Sequence, residues 1–141
     1  MNKILILTLT ILAISFSSCK KTLGTKTYNM TTFGSSGVTG TITFNEAEDA
    51  STTITTYMSG TVSGKKYDMH IHSGTISAPG SVIIDLSSGT AATTTLNATK
   101  AVTNKYADML VFDGCFVAHN FDTASTAPKY VLVGNIGKNA P

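Results

Sequence analysis

The sequence predicts a single all-β domain, a sandwich or flattened barrel of roughly eight short strands. Three observations carry this. Threonine occurs 24 times among the 141 residues, and it is accompanied by Val, Ile, Tyr and Gly. β-Branched residues suit a pleated, half-buried surface. Short alternating runs recur along the chain with Gly, Asn, Asp and Ser clusters between them. After the first segment no stretch shows a helical period.

The elements follow in order. Thr27–Phe33 reads as the first strand, closed by Gly34-Ser35-Ser36-Gly37 as a turn. Val38–Phe44 sets Val38, Gly40, Ile42 and Phe44 on one face against Thr39, Thr41 and Thr43 on the other. Residues 45–50 hold Glu46, Glu48 and Asp49 and read as a solvated hairpin tip. Ser51–Val62 is a long strand with a bend expected at Ser59-Gly60. Lys65–Ser73 is the next strand, Gly74–Gly80 a loop, Ser81–Leu86 an apolar strand and Ser87-Ser88-Gly89 a turn. Thr93–Leu96 is a short strand; Ala98–Tyr106 reads as a loop or a turn of helix. Met109–His119 is a strand pair, or one strand broken at Asp113-Gly114. After a loop over 120–128, Lys129–Ile136 is the last strand, with Val131, Val133 and Ile136 in the core. Tyr57, Phe112, Phe116 and Tyr130 are expected in the core rather than as a binding platform.

The chemistry is concentrated in Tyr67–Gly74, which reads Tyr-Asp-Met-His-Ile-His-Ser-Gly. As a strand it puts Asp68, His70 and His72 on one face and Tyr67, Met69 and Ile71 on the other. Two imidazoles two residues apart lie about 6.6 Å apart along a strand. Both rings can then lean onto one ion at the ~2.0 Å of a metal–imidazole bond. The remaining histidine, His119, lies in a second strand-like run, and a sandwich can bring that strand beside the first. Three imidazoles favour copper first, then zinc, over calcium or magnesium. A fourth position would stay open to water or a small anion. Asp68 and Asp122 are candidate acceptors for a ring N–H; their structural readings are solvent exposure for Asp68 and a loop cap for Asp122. The structural reading of the histidines themselves is polar strand residues facing water.

The start of the chain has the layout of a secretory signal. Met1-Asn2-Lys3 is basic, the run from Ile4 to Phe16 is apolar, and Ser17-Ser18-Cys19 are small. The apolar run is shorter than the ~20 residues of a membrane span. The small residues stop at a cysteine, so the segment resembles a bacterial lipoprotein signal, with Phe16 where leucine is more usual. That resemblance implies a signal over 1–18, lipidation of Cys19, a tether over 19–26 and a domain over 27–141. It places the chain in the bacterial cell envelope, lipid-anchored at the outer membrane. Cys115, the only other cysteine, then has no intrachain partner and reads as a small buried hydrophobe. Without Lys3, nine lysines face eight acids, which argues against a nucleic-acid footprint. No arginine occurs, so bidentate guanidinium recognition is excluded. No protein partner can be read from the sequence.

Two family resemblances follow from these landmarks. The runs Gly37–Phe44, Thr52–Val62, Asp68–Gly74, Pro79–Leu86, Asp113–His119 and Gly134–Gly137 resemble the CHRD domain. The likeness spans about Tyr28 to Gly137. Cys115 stands where many members have tyrosine, and their closing Gly-Glu-Ile-Arg-Gly motif is absent. The His-x-His strand after Gly60-Thr61-Val62-Ser63, the Val117-Ala118-His119 run and Gly134–Gly137 also resemble the copper/zinc superoxide dismutases. Either resemblance implies a Greek-key sandwich. The second implies that His70, His72 and His119 match three of four copper ligands. The bridging histidine has no counterpart, only Asp85 remains of a zinc-loop pair that would include Val82, and the guiding arginine is missing. Lys65, Lys66 and Lys129 are the only nearby cations that could steer an anion. The expectation is therefore a metal-binding envelope lipoprotein. A structural or interaction module without metal, or a weak copper-only dismutase, are the alternatives.

Overall fold

The computed structural model describes residues 22–120 and 129–141. Among these the chain is nearly all strand, as the alternation predicts. In order the elements are β1 Thr25–Thr32, β2 Thr39–Glu46, β3 Ser51–Ser59, β4 Lys66–Thr75, β5 Ala78–Thr90, β6 Thr95–Lys105, α1 Tyr106–Val111, β7 Asp113–Asn120 and β8 Lys129–Gly137.

All neighbouring strands are antiparallel and follow the order β5-β4-β7-β8-β1-β2-β3-β6. Strand β1 joins the two halves. Its residues Thr25 to Met30 pair with β2, and Thr31 and Thr32 pair with β8. The result is a β1-β2-β3-β6 sheet and a β5-β4-β7-β8 sheet. The ends of the order, β5 and β6, lie side by side and nearly close the barrel. Strand β7 returns to lie beside β4, so β4 to β7 form a Greek key.

The core fills the space between the sheets. Ile42, Phe44, Ile54 and Met58 from one sheet meet Tyr67, Met69, Ile71, Phe116, Leu132 and Ile136 from the other, all at most 1% exposed. Period-two alternation produces this directly: in β3, Thr52, Ile54, Thr56 and Met58 are buried and the residues between them are not. The buried Thr56 hydroxyl contacts Met69 Sδ at 3.3 Å, and Thr52 donates to Asn104 O at 2.8 Å. The Tyr67 hydroxyl accepts from Val62 N at 2.8 Å, so this large side chain is buried without an orphaned oxygen.

Several expectations need correction. Tyr57 and Tyr130 are exposed, at 44% and 36%; Tyr57 falls in the outward phase of β3, opposite to Ile54 and Met58. Phe116 is buried and Phe112 packs against the core, as expected. The loop expected over 74–80 is a tight hairpin between β4 and β5. Ser87-Ser88-Gly89 does not end β5; Ser87 takes φ 82° and the strand continues to Thr90. The short strand and loop expected between 93 and 106 are one strand, β6, held by its full ladder to β3. Met109 lies in the six-residue helix α1 with its side chain buried, not in a strand. One and a half turns are too few to show a helical period. The hairpin tip at 47–50 stands as expected, with Asp49 Oδ1 accepting from Ser51 N and Oγ at 3.0 and 2.6 Å.

Candidate metal centre

Strand β4 buries Tyr67, Met69 and Ile71, so Asp68, His70 and His72 must point to the outer face of their sheet. Strand β7 likewise sends Phe116 and Ala118 inward and Cys115, Val117 and His119 outward. The β4–β7 register sets Asp68 against His119, His70 against Val117 and His72 against Cys115. His119 therefore stands diagonally from His70. A register shift against β8 falls between Ala118 and His119, where His119 pairs with Tyr130.

The three histidines converge. Ring centroids lie 5.9 Å apart for His70–His72, 5.3 Å for His70–His119 and 6.3 Å for His72–His119. Each offers one nitrogen, and these nitrogens all lie within 4.8 Å of one another. Ligands at about 2.0 Å from one tetrahedral ion lie about 3.3 Å apart, so the rings must draw together by up to about 1.5 Å to share an ion. The rings are shielded: His72 and His119 are 9% and 7% exposed, and the His70 side chain is 22% exposed.

The two edges of the rings have different surroundings. His70 Nδ1, His72 Nε2 and His119 Nδ1 are buried with no hydrogen-bond partner. The opposite edge of one ring is held by a hydrogen bond. His72 Nδ1 lies 2.9 Å from Gly80 O, and a carbonyl can only accept, so the proton sits on Nδ1 and Nε2 is left with its lone pair. His70 Nε2 lies 3.8 Å from Asp85 Oδ1. A ring nitrogen held outward by a carbonyl or carboxylate leaves the other oriented as a ligand. His119 packs edge-on against Tyr130, with centroids 4.9 Å apart. Burial, then the nearby His70 and His72, push the His119 pKa down to about 4 against a smaller opposing pull from Asp68.

The expected acceptors divide differently. Asp68 is not solvent-exposed: its side chain is 19% exposed and its Oδ1 is buried without a hydrogen bond, 3.8 Å from Lys66 Nζ. It acts on His119 through its charge. Asp122 and Cys19 lie outside the described residues. Asp85 was missed as the carboxylate facing a histidine. It lies 15 residues from His70 in sequence, and only the β4–β5 register, which pairs His70 with Asp85, brings them together. Its Oδ1 also accepts from Ser87 N at 2.8 Å, which the positive φ of Ser87 makes possible. Cys115 shares the outer face but is fully buried with Val117 and Val133, and burial pushes its thiol pKa up.

Three imidazoles with unpaired nitrogens, no thiolate and one carboxylate at the rim suit a borderline metal better than a hard one. Comparison of the chain with family models, curated proteins and solved structures finds no match.

Proposed function

We propose that this chain is a metal-binding protein of the bacterial cell envelope, anchored by lipid at Cys19, which holds copper, or zinc in second place, through His70, His72 and His119. The observation that carries the reading is the meeting of three histidines that each offer a ring nitrogen within 4.8 Å of the others, and each of which has a buried ring nitrogen with no hydrogen-bond partner. The order of its sequence motifs resembles that of a divergent CHRD-type domain and, at the histidine motifs, of the copper/zinc dismutases. The anchor and the location rest on the sequence pattern of residues 1–19.

Bound copper would supply one-electron redox chemistry. The chain's own residues hold and shield the site: Gly80 O fixes the His72 tautomer, Asp85 faces the outer edge of His70, and Tyr130 covers His119. Efficient turnover also needs an anion to be steered and oriented, and no arginine is present to do so. Binding, with at most weak dismutase activity, is therefore the reading we adopt.

The test is a titration of the soluble chain starting after Cys19 with Cu(II) and with Zn(II), followed by calorimetry and by the copper d–d absorption. One ion per chain is expected, with copper tighter than zinc in line with the general affinity order. Undiminished affinity in a triple His70→Ala, His72→Ala, His119→Ala variant would show that the site is elsewhere.

A further inference from the structure

The outer face of the other sheet, on the far side of the sandwich from the histidines, has an unusual composition. The ladders align its outward residues into rows across β1, β2, β3 and β6. One row is Thr27, Thr43, Thr55 and Thr99; the next is Asn29, Thr41, Tyr57 and Asn97. Two flanking rows run through Thr53 and through Ser59. No charged residue occupies any position in the four rows. Lys26 and Lys100, inside the same strands, stand in the opposite phase, and Lys105 lies beyond the four rows, against Ser51. Strand propensity explains the threonines. Charged residues make up 13% of the chain, and those within these four strands all fall outside the four rows.

The row through Tyr57 differs from the rows on its Thr55 side. In those rows side chains bond each other: Thr27 to Thr43 at 2.9 Å and Thr55 to Thr99 at 3.4 Å in the next row, and Thr25 to Asn45 at 3.1 Å in the row beyond it. Among the described residues, Asn29, Thr41, Tyr57 and Asn97 make no side-chain hydrogen bond to one another or to other residues. Asn29, Tyr57 and Asn97 are all exposed. An open aromatic ring thus lies between two amides whose donors and acceptors are free. Three strand spacings separate the amides, about 14 Å in all, the length of a short oligosaccharide.

We propose that this face is a binding site for a neutral glycan, with Tyr57 as the stacking platform and Asn29 and Asn97 as the hydrogen-bonding flanks. A sugar ring has an apolar C–H face and a rim of hydroxyls. The first suits the Tyr57 ring. The second suits amides, because each amide both donates and accepts, as each hydroxyl does. The chemistry disfavours other occupants. A phosphate or sulfate polymer needs cations, and the rows contain none. A protein partner needs an apolar centre larger than one ring. The site does not depend on the metal reading, since it uses the other sheet.

The experiment uses the soluble chain and a panel of neutral polysaccharides (cellulose, starch, xylan, mannan and β-1,3-glucan) with heparin and alginate as acidic contrasts. Retention is measured by pull-down and affinity electrophoresis. Retention on at least one neutral polymer, unchanged in high salt, is expected. Tyr57→Ala should weaken it about tenfold or more, equivalent to ~1.4 kcal/mol. Asn97→Ala should weaken it as well, Tyr57→Phe should preserve it, and the triple histidine variant should bind normally. Circular dichroism checks that each variant is folded, and Asn97→Ala provides a second readout if Tyr57→Ala unfolds. Retention by no neutral polymer, retention unaffected by both Tyr57→Ala and Asn97→Ala, or retention only by the acidic polymers would overturn the proposal. So would a dimer in sedimentation that Tyr57→Ala dissociates, because the face would then be an interface between copies.

Discussion

Metal-free protein should lose stability as the pH falls below about 6.5, and His119 should account for a measurable share of the loss. Burial beside His70 and His72 lowers the His119 pKa from 6.5 to about 4. The fold thus favours the neutral ring. Between those two values the unfolded chain binds a proton that the folded chain does not, so stability falls as pH falls. The contribution is intact above the unfolded value and is lost progressively down to the folded one. At about 1.36 kcal/mol per pH unit, the gap amounts to roughly 3 kcal/mol by pH 4. His119 is only 7% exposed, so solvent screening takes little from this. The assay is urea unfolding with a chelator present, at about pH 7.5 and about pH 4.5, on wild type and His119→Gln. Carboxylates titrating in both proteins cancel in the difference. Wild type should lose roughly 2 kcal/mol more than the variant across this window. Parallel losses in the two proteins would refute the burial argument.

Three further outcomes follow from the geometry. Asp85→Asn keeps an acceptor for Ser87 N but removes the charge facing His70; metal affinity should drop about 10- to 100-fold while the unfolding midpoint stays nearly constant. Gly137 has φ 60°, and a Cβ there would meet Phe112 O at 2.1 Å; Gly137→Ala should cost about 1–3 kcal/mol in urea unfolding, or more if β8 shifts. Cys115 is fully buried, so its reaction with a thiol reagent should be slow in native buffer and track unfolding when denaturant is added.

What the sequence disclosed, and what it hid, follows the range of the interactions. Alternation is local, so the inward phase of β2, β4 and β8 and the outward pair His70 and His72 were readable. The meeting with His119 was an expectation from strand context, and the β4–β7 pairing bears it out. Strand β6 was not readable: Leu96, Ala98 and Val102 form a weak apolar stripe, and the ladder to β3 makes it a strand. The serines at 87 and 88 are turn residues by propensity, but a left-handed Ser87 absorbs the turn as a kink within β5. Asp85 and Gly80 O are brought to the histidines by register alone, a property of the pair of strands that neither strand's sequence encodes.

The orphaned nitrogens offer the strongest physical argument that the histidine cluster binds something. Each buried ring nitrogen without a partner costs about 1–3 kcal/mol of desolvation. His70, His72 and His119 each contribute one, and the three rings meet. Leucine or valine at these positions would pack against Val117 without that cost. Register protects the arrangement, since a one-residue slip of β4 would drive the imidazoles into the core and expose Tyr67, Met69 and Ile71. The core that stabilises the fold therefore also fixes the ligand set, on rigid strands. An ion that accepts all three lone pairs removes the desolvation penalty in a single step. Metal should thus raise the unfolding midpoint, and by the linkage between binding and folding that rise should grow with the free metal concentration.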